Sequence, residues 1–329
     1  MSSVSAAMPR SAAATARDAT VRRFALSDAV FRAATRIAAL LVLLILGGVA
    51  ISLVAGAWPA LSKFGAAFLV SQSWNPVTEN FGALAPIYGT IVTAAISILI
   101  AVPIGIGIAI FLTELCPRPL RRPIGIAVEL LAGIPSIIYG IWGLFIFAPF
   151  LQTTVQPFLI NLFHGVPGLS GLFAGPPYGI GLLTSALILA IMVLPFITSI
   201  TKDVFDTVPS VLKESAYGIG CTTWEVTRRV VIPYTRVGIM GGVMLGLGRA
   251  LGETMAVTFV IGNAHRISAS LFAPATTISA TIANEFTEAD GEIYTSSLIA
   301  LGFLLFVITF LILALARTML LRIEKRTGA

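Results

Sequence analysis

The sequence predicts an all-α polytopic membrane protein with six transmembrane helices. Three observations carry that prediction. Of the 329 residues, 57% are apolar and only 11% are charged, against roughly 25% charged in a typical soluble domain. The mean hydropathy is +0.96. The charges are spaced to leave six apolar stretches, each long enough for a bilayer core of about 30 Å, which takes about 20 helical residues. This composition excludes a soluble globular enzyme, a disordered chain and a secreted disulfide scaffold.

The elements follow in order. Residues 1–33 read as a short disordered cytoplasmic tail. The first 27 are rich in Ala, Ser and Arg, with Asp18 the only acid, a composition that also suits an organelle transit peptide. The apolar run that follows is too long and starts too late for a cleaved secretory signal. The spans belong to a permease domain over 34–320. No charge lies between Arg36 and Lys63, so the first span falls near 37–57. None lies between Glu79 and Glu114, which places the second near 87–113. From Glu129 to Lys202 only His164 interrupts the uncharged run. Gly165, Pro167, Gly168, Gly175, Pro176 and Pro177 break it, giving spans near 124–150 and 179–201. The fifth falls near 237–262 and the sixth near 294–316, with a short tail over 321–329. A polar loop with helical patterning, 202–236, joins the fourth span to the fifth.

Six spans put both termini on one side. On this reading 18 of the 21 Lys and Arg residues flank the spans on that side, and only Lys63 and Arg266 lie on the other. The positive-inside rule therefore places both termini in the cytoplasm. The same distribution turns the net charge of +6 into an orientation signal rather than a nucleic-acid surface. Cys116 and Cys221 lie far apart and read as free thiols, with neither a disulfide framework nor a metal site.

Bond-making chemistry is missing. There is no G-x-x-x-x-G-K-[ST] phosphate loop, since the four lysines follow Ser62, Thr201, Leu212 and Glu324. His164 and His265 fall in predicted external loops and read as structural or solvated. The chain is therefore read as a non-enzyme that moves a solute or is driven by another chain.

The most informative segment is Gly238–Asn263, GIMGGVMLGLGRALGETMAVTFVIGN. Arg249 is the thirteenth residue of the span starting at Val237, near mid-membrane at a rise of about 1.5 Å per residue. Arginine there costs about 2.5–3.5 kcal/mol on insertion scales. Glu253 follows at i+4 and is expected on the same helical face. Such a pair is a candidate substrate site, and the alternative is an ion pair that locks two helices together. Gly242 and Gly246 share the face, where glycine permits close approach of a ligand or only close helix packing. A guanidinium facing a wet cavity suits a tetrahedral oxyanion. The acid can orient it or accept a proton. Glu129 is expected to pair locally with Arg121 and Arg122. Pro135-Ser136 and Pro195 are expected to kink their spans.

The loop reads KESAYGIGCTTWEVTRRVVIPYTR from Lys213. Glu214, Ser215, Ala216, Gly220, Val230, Ile232 and Pro233 keep the spacing Glu-Ala-Ala, three residues, Gly, nine residues, Ile, one residue, Leu-Pro. This resembles the signature of permease subunits of ATP-binding-cassette importers. The departures, Ser215, Val230 and Ile232, are conservative in size. Gly241–Asn263 is similar, more narrowly, to the fifth-span signature of the C-type permease subunits of bacterial phosphate importers. Stretches 74–90, 129–140 and 194–200 carry the same resemblance, which covers about residues 60–320.

The resemblance implies a type I importer bundle, MetI-like, multi-pass in a bacterial inner membrane and working by alternating access. It implies a homologous A-type permease as partner and two ATP-binding-cassette ATPase subunits under the loop. A periplasmic phosphate-binding protein would deliver solute, and the lipid bilayer surrounds the spans. No cofactor is expected in this chain, ATP and Mg being bound by the ATPase. The family's residues of phosphate passage map onto Arg249 and Glu253, and its ATPase contact onto Glu214, Ser215, Ala216, Gly220 and Pro233. The alternatives are a permease for sulfate, molybdate or phosphonate, a proton-coupled secondary carrier, and a non-transporting scaffold. A secondary carrier has no use for the loop. A scaffold leaves the buried charges unexplained.

Overall fold

A computed structural model describes residues 12–327. Residues 1–11 of the expected N-terminal tail and 328–329 of the C-terminal tail lie outside the described residues. Among the described residues six helices are long and apolar enough to cross a membrane: Ser27–Phe64, Leu84–Leu115, Ser136–Phe163, Leu182–Asp206, Thr223–Gly252 and Glu292–Arg322. The chain divides between Ala55 and Gly56 into two compact units. In the first, the helix begins at Ala12 rather than after a disordered tail. Its apolar side chains from Ile37 to Val49 are exposed, as lipid-facing residues are.

The second unit is built around the fourth span. About two-thirds of that span's apolar window is buried, the largest share of the six. The second span lies along it through a stripe of small residues, Ala94, Ser97, Ala101, Gly105 and Ala109, all buried. A Cβ on Gly105 would stand 3.0 Å from the Ile197 side chain. The fifth span does the same with Gly238, Gly242 and Gly246. Cβ atoms there would come 2.5 Å from Val204, 3.0 Å from Ile200 and 2.9 Å from Val193. Small residues let backbones approach where no hydrophobic drive separates helix from lipid.

The third and fifth spans differ from the sequence reading, the fifth starting at Thr223 inside the expected loop. The third span starts at Ser136, not near 124. Residues Arg118–Ala132 form a separate helix that ends at Gly133, before Pro135. Pro135 cannot continue the helix and pushes Ile134 out of the α region. The third span then runs on to Phe163. Glu129 pairs with Lys202 of the fourth span at 3.1 Å, and Arg121 pairs with Asp206. Glu129 is thus bonded across helices rather than to Arg121 or Arg122. The fifth span stops at Gly252, and only a short turn of helix, Met255–Thr258, follows.

Proline also shapes the helix interiors. The π-helical segments Phe111–Leu115, Gly143–Phe147, Leu151–Val155 and Thr227–Val231 each end two residues before a proline, at 117, 149, 157 and 233. Proline lacks the N–H of the α ladder and its ring crowds the carbonyl four residues back. A widened turn just ahead of it relieves that crowding.

Candidate functional site

Arg249 sits in the last turn of the helix ending at Gly252. Its neighbour Gly246 packs on Val193 and Ile197, midway along the fourth span. The guanidinium carbon stands 4.5 Å from the centroid of the Phe196 ring. The buried Nε has no hydrogen-bond partner. Arg249 lines a cavity of about 600 Å³ with Met244, Leu245, Gly248, Leu313, Arg317 and Leu320. Two forces hold a charge there without a carboxylate. The negative end of a helix dipole favours a cation in the last turn by about 0.3–1 kcal/mol. The ring face adds about 0.5–2 kcal/mol.

Glu253 does not occupy the i+4 position of a continuing helix. Its backbone is extended, with φ −68° and ψ 132°, because Gly252 ends the helix. Its Oε1 accepts a long hydrogen bond of 3.4 Å from the Ala256 N–H, at the start of the following helical turn. No Arg249–Glu253 ion pair occurs among the described residues. Gly242 and Gly246 do not line the Arg249 cavity. They are buried against the fourth span, so of the four residues expected on the pathway only Arg249 lines this cavity.

The loop between the fourth and fifth spans forms the helix Ser210–Gly218, which carries Glu214, Ser215 and Ala216. Ala216 points inward, into a cluster with Phe205, Val208, Val226, Val231 and Ile239. Glu214 and Ser215 are exposed. Gly220 follows at φ +92°, with open space where a Cβ would stand, so its role is to turn the chain rather than to make room. The outer face is more apolar than the sequence reading supposed: Val211, Leu212, Tyr217, Ile219 and Trp224 are all exposed. Lys213 is tied to the end of the second span through Glu114 at 2.6 Å, and that carboxylate side chain is 6% exposed. Pro233 is exposed just past the π turn Thr227–Val231.

A second polar centre was not visible in the sequence. Glu285 accepts hydrogen bonds from Trp74 Nε1 at 2.6 Å, Tyr294 OH at 2.7 Å and His265 Nε2 at 2.8 Å. The His265 and Trp74 rings stack at 4.9 Å. Burial pushes the Glu285 carboxyl up, but the three hydrogen bonds and the nearby imidazole outweigh it and hold it below its ordinary value. His265 is thus structural, clamping the hairpin at Trp74 to the helix Ile278–Glu285. The three partners lie between 9 and 211 positions from Glu285 in the chain, which is why no local motif announced them.

Residues 101–326 match the family model of the binding-protein-dependent transport system inner membrane component. The chain belongs to that family. Within it, the phosphate transport system permease protein PstC of Mesorhizobium japonicum is 83% identical over the full length of both chains. The protein of the same name from Pasteurella multocida is 56% identical over 92% of this chain and 94% of its own. Among solved structures, a bacterial alginate ABC transporter chain superposes with TM-score 0.56 at 19% identity, over 82% of this chain and 88% of that one. A chain of the MetNI methionine ABC transporter, inward facing, gives 0.55 at 16% over 76% and 99%. Those two likenesses establish the shared fold. As an inner membrane component of this family the chain is an importer permease subunit, embedded in the membrane through apolar helices.

Proposed function

We propose that this chain is the membrane-spanning permease subunit of an ATP-driven inorganic phosphate importer. Arg249 carries the reading: a guanidinium at mid-bundle, at a helix break, with a buried N–H that no protein group accepts. A group so placed costs several kcal/mol unless a ligand meets it part of the time. A phosphate oxygen is such a ligand. The names of the relatives support phosphate over the other oxyanions. Glu253, beyond the helix break, serves as an acceptor for a protonated phosphate oxygen or as a counter-charge once the pathway rearranges.

The pathway is shared with a homologous permease of the A type. Two ATPase subunits dock beneath the exposed apolar face around the helix Ser210–Gly218, and they bind the ATP and Mg that this chain does not. A periplasmic binding protein delivers phosphate at the opposite end. The basic end of the bundle, with both termini, is cytoplasmic. Closure of the ATPases moves the docked helix, and the Glu114–Lys213 pair passes that movement to the second span. Uptake of radiolabelled phosphate, sulfate and molybdate into vesicles holding the whole complex tests the assignment. Phosphate uptake that requires ATP and binding protein is expected. Sulfate or molybdate uptake in its place overturns the substrate. Uptake driven by a proton gradient without ATP overturns the class.

A further inference from the structure

The helix Arg118–Ala132 is amphipathic in an unusual sense. Arg118, Arg121, Arg122, Gly125 and Glu129 recur at helical spacing and form one stripe. That stripe faces the end of the fourth span: Arg121 bonds Asp206, Glu129 bonds Lys202, and a Cβ on Gly125 would stand 3.8 Å from the Lys202 ammonium. The other side is apolar and points away from the protein. Leu120, Leu130 and Leu131 are 51%, 69% and 42% exposed. A helix with its polar stripe against the protein and its leucines outward does not suit water on that outer side. It suits the boundary between headgroups and acyl chains.

A cavity of about 440 Å³ opens along the polar stripe, lined by Arg118, Arg121, Arg122, Gly125, Ile126, Glu129 and Lys202. It presents four cations against one carboxylate. Asp206 engages Arg121, and Glu129 and Asp203 engage Lys202. Arg118 and Arg122 have no carboxylate within ion-pair distance among the described residues. Two free guanidiniums beside the exposed Ile126 and Leu130 match one chemistry: a phosphodiester headgroup joined to acyl chains.

We propose that the cavity on the helix Arg118–Ala132 binds the headgroup of an anionic phospholipid, with the acyl chains lying on Ile126 and Leu130, which are exposed along the border of the stripe. The site is separate from Arg249 and independent of which solute is carried. Free phosphate would satisfy the guanidiniums but not Ile126 and Leu130, so the lipid is the occupant. Bound there, the lipid braces the junction between the second and third spans against Lys202 and Asp206 at the end of the fourth. That junction adjoins the Glu114–Lys213 contact.

The test uses the intact complex in nanodiscs of mixed phosphatidylcholine and phosphatidylglycerol, with retained lipid counted by native mass spectrometry after gentle release. Wild type is expected to retain phosphatidylglycerol over phosphatidylcholine by roughly tenfold or more, since each Arg near an anionic headgroup contributes about 1 kcal/mol. The R118Q/R122Q variant should fall to near parity, and R118K/R122K should keep most of the preference, with assembly checked by size exclusion for each. No preference in wild type overturns the proposal, as does an unchanged preference in an assembled R118Q/R122Q complex. Displacement of the lipid by excess inorganic phosphate would make the cavity a free-anion site and also overturn it. So would efficient disulfide trapping of L130C to the sister permease, which would place protein, not lipid, at that position.

Discussion

At the scale of single residues, Arg249 and Glu285 show two ways of keeping a charge inside an apolar protein. Arg249 has a ring face and a helix end but no carboxylate, leaving its charge open to a ligand. R249Q keeps length and polarity but loses the charge and the rigid fork. It is expected to assemble with its partners and to lose phosphate uptake, measured in vesicles with the complex quantified. E253Q should impair uptake without harming assembly, because Glu253 makes no ion pair in this state. If both residues only formed a structural lock in another state, R249Q/E253Q would restore uptake. An inactive but assembled double variant is the outcome expected of a substrate role. Glu285 is the opposite case, a carboxylate satisfied three times over. Its pKa is lowered on folding, so its contribution to stability is complete above the unfolded carboxylate value of about 4.3 and fades as pH falls through the lower folded value. E285Q should therefore lower the melting temperature at pH 7. The gap to wild type should shrink as both are acidified toward pH 3, which thermal scans across pH would show.

At the scale of elements, the loop helix and its turn set the coupling. Gly220 holds φ +92°, a conformation that costs an L side chain about 1–2 kcal/mol. G220A should weaken ATPase co-purification although a methyl group meets nothing there, and G220R should abolish it. Normal co-purification of G220R would move the docking surface elsewhere. The buried Glu114–Lys213 pair makes a different prediction. Removing one partner leaves a charge unpaired, at a cost of about 3–5 kcal/mol. E114Q and K213M should each uncouple ATP hydrolysis from uptake, and E114K/K213E should regain part of the coupling. Equal loss in the charge-swapped variant would deny the pair a role in transmission.

At the scale of the whole molecule, orientation is the claim to test. A cysteine placed at Gly168 should react with an impermeant thiol reagent from the periplasm, and one at Pro119 only after the membrane is opened, in a background with Cys116 and Cys221 replaced. The reverse pattern would put the loop helix on the wrong side for any cytoplasmic ATPase. The six-helix architecture itself was legible, because the bilayer demands about 20 apolar residues per crossing and charges mark the ends. Arg249 was legible for the same reason, since a charge in an apolar run is conspicuous against its background.

What the sequence determined alone was the set of properties written locally: apolar runs, their charged flanks, the spacing of the loop signature and one arginine out of place. What only the tertiary structure decided was everything that depends on a neighbour distant in the chain. The i+4 spacing suggested an Arg249–Glu253 pair, but Gly252 ended the helix. Gly242 and Gly246 were expected on the pathway, but the side chains of the fourth span fill the space beside them. Residues 124–132 read as the start of the third span until the structure placed them in the separate helix Arg118–Ala132, bonded through Arg121 to Asp206 and through Glu129 to Lys202, with Pro135 ending the segment. Glu285 drew its partners from three separate segments. Helical periodicity tells which residues share a face, whereas the identity of what covers that face is a long-range contact that no local pattern encodes.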